Sequence, residues 1–163
     1  SVMAAEPGRT AWAAGAPGPT HKTASLSRDV SDPGARPVTV AELAEAYREQ
    51  ALGLLDGGGD ILLVAPAFDP LNGQAALFAI EEAFAARGVV RPVMASVTIT
   101  DLSGRTLSGQ TVEAFWISVS HAPLLAVGVN CALGFAGAND RVQFVDEQDD
   151  LAIRLSYLFD DGL

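Results

Sequence analysis

Apolar residues gather into four continuous runs along this chain, Thr10–Gly15, Asp60–Ala67, Pro92–Ile99 and Leu124–Leu133, and the last three begin 32 residues apart. They are unbroken runs, not alternations of apolar and polar residues, as strands buried on both faces of a parallel sheet require. Between the first two runs, Val40, Leu43, Ala44, Tyr47, Ala51, Leu54 and Leu55 fall at helical spacing. Thr39 and Glu42 stand where a capping box would start that helix, and Gly57 lies near its end.

A second helix is expected from Asp69, an N-cap residue followed by Pro70 at the first helical position. Leu71, Ala75, Phe78 and Ala79 should face inward, and Gly88 sits where a C-terminal cap belongs. A third helix should run from about Gln110 to Ser120, with Val112, Phe115, Trp116 and Val119 on its buried stripe, until Pro123 prevents continuation. The order is strand, long loop, helix, strand, helix, strand, loop, helix, strand. Under the right-handed crossover rule that order builds a parallel α/β sheet with helices covering it.

Gly18–Pro37 is rich in Ser, Thr, Pro and Gly and reads as a long loop after the first strand, a place where α/β folds carry function. Past Gly134 the character changes. Asp146, Glu147, Asp149 and Asp150 precede Leu151, Leu155, Leu158 and Phe159 at helical spacing, so 135–163 reads as an acidic tail with one helix.

Charge narrows the partners. The 20 acidic and 10 basic residues give a formal net charge of −10, whereas a hold on phosphate backbones needs clustered Lys and Arg. Nucleic acid is therefore not an expected partner. The longest apolar run, Ile61–Phe68, is interrupted by Pro66 and falls far short of the roughly 20 residues that span a bilayer, so no membrane segment is expected. The N-terminus shows no basic region followed by an apolar stretch, which makes the cytoplasm the expected compartment. The single cysteine, Cys131, fits a reducing environment and excludes an internal disulfide framework.

Four segments carry a resemblance: GPTHKTASLSRDVSDPGARPVT, DILLVAPAFDPLNGQAALFAIEEAF, RPVMASVTITDLSGRTLSGQTVEAFW and VGVNCALG. In this order they resemble the homocysteine-binding region of cobalamin-dependent methionine synthase, within the homocysteine S-methyltransferase family, and they cover most of residues 10–134. TITDLSGRTLSGQTVEAFW is the most specific string; GVNC is shared more widely among zinc-dependent homocysteine methyltransferases.

The resemblance implies an α/β fold, part of a (βα)8 TIM barrel with about four parallel strands and covering helices. It also implies zinc held by three cysteine thiolates, an open fourth position for the homocysteine sulfur, and methylcobalamin on another domain as methyl donor. Domains for cobalamin and methyltetrahydrofolate would be partners. Cys131 matches the first zinc thiolate. The adjacent pair of cysteines that supplies the other two has no counterpart, because Cys-Cys occurs nowhere in the sequence. Ala65 stands where the family typically has a glutamate expected to hold the homocysteine amino group, and Val97 where it has a glycine.

Asp69, Thr98 and Asn130 are the substrate-binding candidates. Two of them also have a plainer role open to them: helix capping for Asp69, and satisfying backbone groups at the strand end for Asn130. The glycines of GAPGPT and DGGGD read as turns, since neither string fits GxxxxGK[ST] and no GxGxxG joins a strand to a helix. Ser108 and His121 lack the GxSxG elbow of a hydrolase, and the tail aspartates do not match a calcium loop.

Two functions follow. One is the homocysteine-binding portion of a methionine synthase. The other is a catalytically incompetent half-barrel whose unpaired edge strands are covered, or paired with a second copy as a homodimer.

Overall fold

A computed structural model describes residues 11–100 and 103–130 of the 163-residue chain. Four strands, β1 (Ala14–Gly15), β2 (Ile61–Ala67), β3 (Val93–Thr98) and β4 (Ala126–Asn130), alternate with three helices, α1 (Val40–Asp56), α2 (Pro70–Arg87) and α3 (Val112–Val119). All three strand pairings are parallel and the sheet order is β1-β2-β3-β4. Consecutive parallel neighbours joined by right-handed crossovers place every helix on one face, as in an arc of a (βα) barrel. Part of a TIM barrel is therefore what these residues form.

The helix boundaries follow from their caps. Thr39 accepts the Glu42 amide at 3.2 Å, while the Glu42 carboxylate takes the Thr39 amide at 2.8 Å. That reciprocal bond holds the Glu42 carboxyl below its ordinary pKa. Asp69 caps α2 through the Leu71 amide at 3.0 Å, Pro70 opens the helix, and Gly88 closes it in the left-handed region at φ +63. That backbone conformation is strained for a residue with a side chain. Arg87 in the last turn of α2 pairs in bidentate fashion with Asp56 at the end of α1, at 2.6 and 2.7 Å.

Leu62, Val64, Val93, Ala95 and Val97 enter one buried cluster with Leu43, Tyr47 and Ala51 of α1, Ala76 and Ile80 of α2, and Phe115 of α3. These strand residues therefore face the helices. Because side chains alternate along a strand, Leu63, Ala65, Met94, Ser96, Thr98, Ala126, Gly128 and Asn130 face the other way, toward what would be the inside of a barrel. The register keeps the two sets in rows, with Ser96 opposite Gly128 and Thr98 opposite Asn130. Gly15 lies on the helix side, where a Cβ would stand 2.8 Å from Leu54 Cδ2. Its lack of a side chain is what lets α1 close on β1.

The sequence and the structure differ at three places. Of the described residues in the expected Thr10–Gly15 run, β1 contains only Ala14 and Gly15; the Ala13 amide goes to the Asp60 carboxylate at 2.9 Å, while its carbonyl accepts the Ile61 amide at 3.2 Å. Phe78, expected to face inward, is 55% exposed. Val112 and Trp116 are half-buried, leaving Phe115 and Val119 as the buried residues of α3. The Phe78 error has a physical cause. Alanine and leucine surround α2, so the sequence stripe has little contrast, and small residues at 76, 79 and 83 form the true contact face. Cys131, the end of the run to Leu133, and the acidic tail 135–163 with the helix expected in it lie outside the described residues. Among the described residues no helix is long and apolar enough to cross a membrane.

Candidate functional site

Barrels of parallel strands build their sites where the strands end and the following loops begin. At that edge β2 leads into Asp69, β3 ends at Thr98 and β4 ends at Asn130. Thr98 and Asn130 occupy matched positions on neighbouring strands, about 5 Å apart across the sheet. The Asn130 carbonyl accepts the Ile99 amide at 3.2 Å, joining the two ends.

Thr98 is 4% exposed, and its hydroxyl has no hydrogen-bond partner among the described residues. A buried hydroxyl left unpaired costs about 1–3 kcal/mol, so this position is either a source of instability or a group that a ligand completes. Asn130, on the same face, is half-buried. Ser96 lies two residues before Thr98 in β3 and is half-buried too.

Asp69 is in a different situation. It is 1% exposed, and its carboxylate accepts three hydrogen bonds: from the Ser25 amide at 3.0 Å, the Ser25 hydroxyl at 2.7 Å and the Leu71 amide at 3.0 Å. It thus ties the β1–α1 loop to the start of α2. Asn72, one turn into α2, was missed in the sequence. Its Oδ1 accepts the Ala24 amide at 3.0 Å, and its Nδ2 donates to the Lys22 carbonyl at 2.8 Å and to Thr20 Oγ1 at 3.2 Å. Tyr47 completes the knot. Burial pushes its phenol up, against hydrogen bonds with Thr20 and Asn72 that pull it down. The available signal was a polar residue in the first turn of an otherwise apolar helix, DPLNGQAALFAI.

The loop after β3 is braced by its own atoms. Gln110 donates its amide to Thr106 Oγ1 at 3.1 Å, Thr106 donates its amide to the Gln110 carbonyl at 2.8 Å, and Arg105 reaches the Gly109 carbonyl at 2.7 Å. Gly109 turns the chain at φ +85. In this way TLSGQT makes a rigid turn above the strand end. Ser108 donates to Gln110 Oε1 at 2.7 Å, at the opposite end of α3 from the exposed His121.

An apolar groove of about 750 Å³ lies at the other end of the sheet, between Ile80 and Phe84 of α2, Val93, and Leu124. Size alone would favour it, but it lacks convergent polar groups. The strand ends carry the unpaired hydroxyl and the amide, so they are the better candidate. No group of three or more His, Cys, Asp or Glu able to hold a metal occurs among the described residues.

Among protein-family models, the one described as Homocysteine S-methyltransferase matches residues 2–156, in agreement with the resemblance read from the four segments.

Proposed function

The chain belongs to the homocysteine S-methyltransferase family, and from that membership we propose that it is the homocysteine-binding portion of a methionine synthase of the cobalamin-dependent kind. The observation that carries this reading is Thr98, whose buried hydroxyl lacks a partner at the strand end beside Asn130. Homocysteine brings an ammonium and a carboxylate. A hydroxyl and a carboxamide that together donate and accept are suited to either group. Asp69, fully engaged by Ser25 and Leu71, serves this site as a support for its border.

The family's zinc chemistry does not fit the donors of this chain taken alone. A three-thiolate site needs two more sulfurs than Cys131 provides, and the described residues offer no substitute cluster. Such a site would draw two thiolates from outside these 163 residues. The role left to the described residues is substrate binding.

Thr98→Val separates binding from folding, since it replaces the hydroxyl by a methyl of similar shape. Removing an unpaired buried polar atom should raise the unfolding free energy by about 1 kcal/mol. Losing a ligand hydrogen bond should weaken homocysteine affinity about tenfold. Calorimetric titration and urea unfolding read the two effects. Unchanged homocysteine affinity in the variant would remove Thr98 from the site.

A further inference from the structure

We propose that Asn72 is a positioning residue that latches the β1–α1 loop across the start of α2, so that residues 18–25 stand as a fixed border of the site at the strand ends. The site itself rests on the function proposed above; the latch rests on hydrogen bonds.

Asn72 is 6% exposed, and beside Tyr47 of α1 its side chain makes three bonds to the loop, across 48 to 52 residues of sequence. Asn72 is the third residue of α2, and its amide group bonds to the loop and not to the open amides of the helix start, so this residue is explained by the loop and not by α2. Asp69 adds the Ser25 amide and hydroxyl from the same end of the helix. Gln50 of α1 takes the Gly18 amide at 2.8 Å. The anchored half of the loop is therefore held at Gly18, Thr20, Lys22, Ala24 and Ser25.

The other half is built differently. Ser27 donates to the carbonyls of Asp29 and Asp32, and Asp29 and Asp32 accept the amides of Ser31 and Gly34. These bonds are local, and Arg28 to Gly34 are exposed. The loop thus divides into a half fixed to the barrel and a half braced on itself and, through Arg28 to the His21 carbonyl at 2.9 Å, on the fixed half. The fixed half departs from the carboxyl end of β1 and crosses to the residues that follow β2, on the edge where Thr98 and Asn130 end their strands.

Hydrogen exchange tests the latch without needing a ligand. In Asn72→Ala, exchange over 18–25 should rise about tenfold or more, the size that losing one or two buried hydrogen bonds gives. Exchange over 93–98 and 126–130 should stay as in the parent chain. Asn72→Asp keeps the acceptor for the Ala24 amide but turns both donations into contacts between acceptors around a buried charge, so its exchange should rise at least as far as in Asn72→Ala. If 18–25 stays protected in Asn72→Ala, or if all three segments accelerate alike, the latch is overturned.

Homocysteine titration of the same variants tests the positioning. Affinity should fall in both variants, by about tenfold in Asn72→Ala. A freed loop with unchanged homocysteine affinity would overturn the positioning role. A parent chain that binds no homocysteine would instead overturn the proposed function, and the exchange result would still decide the latch.

Discussion

Asp69→Ala should lower the unfolding free energy by about 3 kcal/mol, from the loss of a helix cap at about 1–2 kcal/mol and the stranding of buried donors at about 1–3 kcal/mol each, partly relieved by water. The donors are the Ser25 amide and hydroxyl and the Leu71 amide, all aimed at a carboxylate that is 1% exposed. Asp69→Asn keeps one oxygen and so should lose less, about 1–2 kcal/mol. Urea unfolding of the two variants gives the comparison. Equal and small losses would mean that the loop does not depend on this carboxylate.

Phe115→Ala should be of similar or greater size, about 3–5 kcal/mol, the range for emptying a fully buried aromatic position. Phe115 is completely buried, and its ring edge lies 3.4 Å from where a Cβ on Gly73 would stand. The ring therefore fills the space that Gly73 leaves where α3 packs on α2. α3 is only 8 residues long, and Val119 is the other residue it buries completely. Gln74 donates to the Ser118 carbonyl at 2.9 Å, one polar tie between the same helices. Thermal unfolding followed by circular dichroism would register the loss, and a cost under 1 kcal/mol would contradict this packing.

Local chemistry made much of this fold legible. Thr39 with Glu42, Asp69 with Pro70, and Gly88 each specify a chain direction through atoms within a few residues, so the limits of α1 and α2 could be read from the sequence. The unbroken apolar runs marked β2, β3 and β4 because strands covered by helices on one side and a barrel interior on the other have no polar face to show. What depends on distant partners was hidden. Asn72 looks like a poor helix residue until the loop 48 residues earlier is placed against it. The Ala13 amide is taken by Asp60, 47 residues away in sequence. Phe78 turns outward because α2 packs through alanines. At the site, the position of Thr98 and Asn130 at strand ends was readable from the runs, but the unpaired state of the Thr98 hydroxyl needed the fold.

The most direct measurement is a homocysteine titration of the labelled chain, followed by amide chemical shifts in heteronuclear NMR, which detects even a weak site. Shifts are expected at Ala65–Asp69, Ser96–Thr98 and Gly128–Asn130 and along the bordering loop 18–25, with the groove at Ile80, Phe84 and Leu124 silent. Shifts centred on that groove, or none at any concentration reached, would contradict the assignment of homocysteine to the carboxyl ends of these strands.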